Sequence, residues 1–148
     1  MPEPIIEIRN LMKQYPMGER KFTALKNIDM TGLPGEFCGI VGPSGSGKTT
    51  LLNIIGTLDK PTQGSALVMG RSVETLSHKA AADMRKQSIG FIFQTYNLLP
   101  VYTVYENVEF PLHLLKMSDK QRDTMVMEAL QAVHLESKRN SRPQQLSG

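Results

Sequence analysis

The chain has 148 residues, the size of one ordinary domain, and a 40% hydrophobic share suffices for a core. Its formal net charge of +3 comes from scattered basic residues and gives little ground for a nucleic-acid or membrane-surface partner, while no apolar stretch nears the ~20 residues of a membrane span. The lone Cys38 has no second thiol or metal ligand near it, which excludes a disulfide scaffold, and Met1–Asn10 has no signal-peptide core, so a cytosolic or cytosol-facing protein is expected.

In chain order, Ile6 and Ile8 alternate with Glu7 and Arg9, and Ile28 and Met30 with Asn27 and Asp29, about a Pro/Gly turn at Pro16 to Gly18. This predicts a half-exposed antiparallel pair of strands. Glu36 to Val41 is short and largely apolar, as a strand buried on both faces would be, and Cys38 within it reads as a small buried hydrophobe.

Directly after that run comes Gly42-Pro43-Ser44-Gly45-Ser46-Gly47-Lys48-Thr49, the spacing of a phosphate-binding loop. Glycines let the backbone curl with its N–H groups inward, and the following helix adds its positive end, so polyphosphate meets donors and dipole together. Lys48 is placed to reach the β- and γ-phosphates and Thr49 to hold Mg²⁺ through its hydroxyl. A bland Gly/Ser connector has no need of a lysine at the helix start. Leu51, Leu52, Ile54 and Ile55 recur at helical spacing, and Gly56 is placed to end that helix.

Lys60 to Gly64 reads as a turn, Ala66 to Met69 as a short strand ending at Gly70-Arg71, and His78 to Gln87 as an exposed helix. Ile89 to Gln94 predicts a second buried strand with a polar end. From Thr103 the period changes to helical, giving Val104 to Lys116 and then Ser118 to Leu135, the second opened by a Ser118/Gln121 capping box and striped by Val126, Ala129, Leu130 and Val133. Met125, Met127 and His134 read as filler and surface rather than ligands. Lys138 to Gln145 is a polar loop, and the chain stops at Leu146-Ser147-Gly148.

The order of Tyr15, the loop at 42 to 49, Gln94, a helical stretch and Leu-Ser-Gly resembles the ATP-binding subunit of ABC transporters. The stretches Leu52 to Thr62 and Ile89 to Pro100, with Glu106-Asn107-Val108, look like the subfamily that serves lipoprotein release and macrolide or peptide export. The resemblance implies an α/β fold: a P-loop NTPase core of ABC type with N-terminal antiparallel strands, in residues 1–100, and a helical subdomain in 101–148. It assigns Gly42, Pro43, Ser44, Gly45, Ser46, Gly47, Lys48, Thr49 and the adjoining Thr50 to ATP, with Tyr15 on the adenine and Ser147 and Gly148 on the phosphates of a second copy's ATP. Thr49 and Gln94 are assigned to Mg²⁺, and Lys48 and Gln94 to catalysis. A transmembrane permease and a head-to-tail second ATP-binding subunit are the implied partners, at the cytoplasmic face of the inner or plasma membrane, with no nucleic acid expected.

Each position also has a plainer reading. Tyr15 offers a flat ring, worth ~1 to 3 kcal/mol under a base in nucleic-acid proteins, or is a tyrosine in a surface turn. The Gln94 amide suits a sensor of metal or attacking water, or is a polar strand end. Ser147 and Gly148 could meet a phosphate at a helix start or simply cap it. Family members carry, beyond the Leu-Ser-Gly-Gly-Gln signature that the terminal Leu-Ser-Gly resembles, an apolar strand ending in Asp, a catalytic Glu directly after it and later a switch His. None of these is in this sequence, and Asp83 and Glu106 lack the apolar strand in front. The resemblance therefore implies the N-terminal portion of a longer ATPase, with the C-terminal part of the core absent and hydrolysis belonging to the complete protein. Three other readings stand beside it: a nucleotide-binding fragment without turnover, an ABC-type ATPase of a soluble DNA-repair or translation factor, and a P-loop kinase, which would not explain Tyr15, Gln94 and the terminal Leu-Ser-Gly together.

Overall fold

The structure, a computed structural model, describes residues 2–146. It divides into two compact units, Met1–Phe91 and Ile92–Gly148. In the first, β1 (Ile6–Met17) and β2 (Arg20–Gly32) form a long antiparallel hairpin. Gly18 leads its two-residue turn at a φ of +61°, the left-handed geometry that matches the twist of the flanking strands. β3 (Gln63–Val68) pairs antiparallel with β1, and the two-residue β4 (Arg71–Ser72) with β3, giving the order β2-β1-β3-β4.

Strict alternation along β1 would place Ile8 and Leu11 on opposite faces, yet both are fully buried. The register slips between them, and Asn10 takes a φ of +46° while its N–H donates to Asp29 Oδ1 at 2.9 Å. One residue inserted by this bulge returns Leu11 to the core face. On that face α1 (Lys48–Ile55) packs through Leu51 and Ile54, and α2 (His78–Ser88) through Met84, joining Leu25, Ala66, Val68 and Val73 in one cluster. Ser77 caps α2 by accepting from the Ala80 N–H at 3.2 Å.

The expected strands over 36–41 and 89–94 are not formed, and both stretches run as irregular backbone. Cys38 is exposed rather than buried, as are Phe37 and Val41 in the first unit and Ile92 in the second. The physical reason is that a strand of this apolar kind exists only between hydrogen-bonded neighbours. Among the described residues every ladder is antiparallel and involves β1 to β4 alone.

The second unit is helical. α3 (Val104–Glu109) opens on a capping box between Thr103 and Glu106, and continues only as a 3₁₀ turn over Phe110–Leu114. The single helix expected to Lys116 is shortened because Pro111 lacks the N–H that would reach back to residue 107. α4 (Asp119–Ala132) carries the expected Ser118/Gln121 capping box and ends three residues before Leu135. Val104, Val126 and Leu130 form the core, with Tyr105, Met127 and Leu146 packed against it; Val133 of the expected stripe is exposed. The first N–H groups of α3 donate to the loop that follows α4, Val104 to Ser141 O at 2.8 Å and Tyr105 to Arg139 O at 2.9 Å, so its orphan donors are satisfied. No helix among the described residues is long and apolar enough to cross a membrane.

Candidate functional site

Residues 42–47 curl over the start of α1, closed by Ser46 N–H donating to Pro43 O at 3.3 Å and continued by Leu51 N–H donating to Gly47 O at 2.9 Å. Gly47, the N-cap of α1, has a φ of +89°, and a β-carbon there would stand 2.6 Å from the Ala24 carbonyl oxygen. Both the conformation and the seat on β2 therefore demand glycine. At Gly42 the reason is different: a β-carbon would lie 2.7 Å from Ser46 Oγ, inside the curl itself.

The Lys48 ammonium folds back over this loop, donating to Gly42 O at 2.7 Å and Pro43 O at 2.8 Å, with Ser46 Oγ at 3.4 Å. Its three protons thus meet oxygens of the loop, and a cation sits at its mouth. The first turn of α1 holds no acidic residue, so the positive end of the helix is not neutralised locally. Thr49, at the same end, is exposed. A polyanion is what this arrangement of N–H groups, helix end and ammonium suits, and Thr49 offers it a hydroxyl for a divalent cation.

Tyr15, half-buried, stands near the end of β1, with Thr50 of α1 close to its hydroxyl. Its hydroxyl donates to Asp59 Oδ2 at 2.8 Å, and Lys13 Nζ stands 4.9 Å from its ring centroid. Burial, then the bond to Asp59, raises the Tyr15 phenol above its ordinary value. Burial alone would raise the Asp59 carboxyl too, but hydrogen bonds from Lys13, Tyr15 and the Lys60 N–H hold it below the usual carboxylate range. Sequence reasoning missed Lys13 and Asp59. The available signal was the i, i+2 spacing of Lys13 and Tyr15, which puts both on one face of a strand, with a carboxylate in the turn that follows α1.

Gln94 is exposed on irregular backbone in the second unit. Ser147 and Gly148 lie outside the described residues. Leu146, just before them, packs on the Val104, Val126 and Leu130 core, which gives that leucine a packing role. Glu106 accepts from the Thr103 backbone N–H at 2.7 Å and hydroxyl at 2.8 Å, which hold its carboxyl below the ordinary range; it serves the cap of α3. Asp83 lies on α2.

A family model described as ABC transporter matches residues 25–148. An ABC transporter ATP-binding protein of Thermotoga maritima is 42% identical over 144 residues, which are 97% of this chain and 62% of that protein. The macrolide export ATP-binding/permease protein MacB of Shigella flexneri is 43% identical over 145 residues, 98% of this chain and 22% of MacB. A solved dimeric structure of MJ0796, a bacterial ABC transporter cassette, superposes with a TM-score of 0.85 at 44% identity, over 97% of this chain and 63% of that one. A second structure of that cassette, dimeric, post-hydrolysis and bound to ADP and Pi, gives 0.85 at 42% identity. The chain spans under two thirds of the length of these relatives.

Proposed function

Since this chain belongs to the ABC transporter family, with the fold of its ATP-binding cassette, we propose that it is the ATP-binding part of a subunit that couples ATP binding and hydrolysis to export or extraction of a substrate by a membrane partner. The observation that carries this is the Lys48 ammonium on the carbonyls of Gly42 and Pro43, over a loop whose curl crowds any β-carbon at Gly42 and excludes one at Gly47. Lys48 exchanges those carbonyls for β- and γ-phosphate oxygens when nucleotide enters, and backbone N–H groups of the loop that are not engaged within it, unlike that of Ser46, join it on the same phosphates. Thr50 continues that cradle and Tyr15 stacks on the adenine. Mg²⁺, when bound, neutralises charge between the phosphates; the Thr49 hydroxyl, and by resemblance the Gln94 amide, would hold it.

Gln94 is further assigned the orientation of the attacking water. Because Glu106 is engaged by Thr103, the carboxylate that hydrolysis requires is sought outside the residues described. By the same resemblance Ser147 and Gly148 meet the ATP of a second copy arranged head to tail, and a transmembrane permease at the cytoplasmic face of the membrane takes up the motion. Residues 94–105 are the segment proposed to touch it. No nucleic-acid partner is proposed.

The test is equilibrium binding of Mg·ATP and steady-state phosphate release by the full-length protein and its Lys48→Ala variant. A loss of at least about tenfold in affinity and of nearly all turnover is expected. Unchanged affinity and turnover would remove the loop assignment. Binding at full strength with no turnover in the unmodified protein would favour the nucleotide-binding module without hydrolysis.

A further inference from the structure

The ladder between β1 and β3 stops at the pair Met12–Gln63, so the last residues of β1 have only β2 beside them. On the open side, side chains replace the ladder. Gln14 N–H donates to Thr62 Oγ1 at 3.0 Å, Lys13 Nζ donates to Lys60 O at 2.8 Å, and Tyr15 donates to Asp59 Oδ2 at 2.8 Å. Asp59 is the centre of this clamp. Its other oxygen takes the Lys13 ammonium and the Lys60 N–H, and the Lys13 side chain is only 12% exposed, so the ion pair is shielded enough to hold one geometry.

The consequence falls on the tyrosine ring. Its hydroxyl edge is tied to Asp59, and the Lys13 ammonium covers one face at 4.9 Å. Resting on the reading above that Tyr15 stacks on the nucleotide base, we propose that Asp59 is a positioning residue, which with Lys13 fixes the Tyr15 ring so that only the face away from Lys13 is offered to a purine. A ring fixed before binding loses little rotamer freedom when the base arrives, and affinity for the base rises accordingly. The triphosphate, bound by the loop, gains nothing from the clamp.

The experiment measures binding of Mg·ATP and of Mg·tripolyphosphate, which has no base, to the full-length protein and to Tyr15→Ala, Tyr15→Phe, Asp59→Ala and the Tyr15→Phe/Asp59→Ala double variant. Tyr15→Phe keeps the ring and deletes one oxygen, so it stays informative even where Asp59→Ala folds poorly. Tyr15→Phe and Asp59→Ala are each expected to weaken ATP binding about tenfold, to leave tripolyphosphate within about twofold, and in combination to weaken ATP no further. If Tyr15→Ala weakens ATP selectively while Tyr15→Phe and Asp59→Ala bind as the parent does, the base reading stands and the clamp is overturned. Equal effects of Tyr15→Ala on both ligands, or none on either, would overturn the base reading and with it the proposal. Weakening of tripolyphosphate by Asp59→Ala would also sink it, since Asp59 would then be supporting the loop.

Discussion

Gly56, the C-cap of α1, lies under the ring of Phe91: a β-carbon on Gly56 would stand 2.6 Å from Phe91 Cε1 and 2.7 Å from Cζ. Gly56 has an ordinary φ of −74°, so what a side chain would meet there is the Phe91 ring and not the strain of a left-handed cap. Gly56→Ala should therefore destabilise, by about 1–3 kcal/mol, although alanine at such a φ would otherwise stiffen the chain favourably. Urea unfolding of Gly56→Ala, and of Gly56→Ala with Phe91→Leu, checks this; the double variant should recover part of the loss.

Lys48 and Gly47 are adjacent and should fail differently. The Lys48 hydrogen bonds are solvent-exposed, so Lys48→Ala is expected to leave the unfolding midpoint without nucleotide nearly unchanged and to cut its rise with Mg·ATP by half or more. That rise corresponds to about 2.7 kcal/mol in the parent at one hundred times Kd. Gly47→Ala, with a φ of +89° and the Ala24 oxygen in the way, should lower the midpoint itself. Thermal unfolding of both variants, with and without Mg·ATP, separates the two.

Tyr105 donates to Asp123 Oδ1 at 2.8 Å, tying α3 to α4. That bond, then burial, pushes its phenol up to about 12 from 10.0. The folded pKa is raised, so the contribution is complete below pH 10.0 and is lost as pH climbs from there through about 12. Absorbance titration of the phenolates should show a late step that Tyr105→Phe removes, and the helical signal of that variant should depend less on pH across the same window.

Residues 37–41 have no ladder partner, and Phe37 and Val41 are almost wholly exposed. Their amides are expected to exchange rapidly in this chain, and slowly in a protein extended by the further length its relatives carry, if that length pairs with them. Hydrogen exchange on both proteins decides it.

Several elements were legible because their cause is local. Alternation gave the β1–β2 hairpin, Ser118 with Gln121 gave the start of α4, and the glycine spacing at 42–47 gave the loop, each a matter of backbone conformation or a bond a few residues long. The stretches 36–41 and 89–94 read as strands from their apolar content, yet a strand needs a partner and no sequence window contains one. The residues around Tyr15 escaped for a related reason: Lys13 and Asp59 are 46 positions apart and meet only after β1 and α1 pack.

By itself, then, the sequence determined a tight glycine-rich loop at 42–47 that leads directly into an amphipathic helix, because glycine conformations and helix periodicity travel with the local chain. Only the tertiary structure decided that Gly47 must be bare to rest on Ala24, that Gly56 must clear Phe91, and that Asp59 holds Tyr15. Those are contacts between segments distant in sequence, set by how the elements pack.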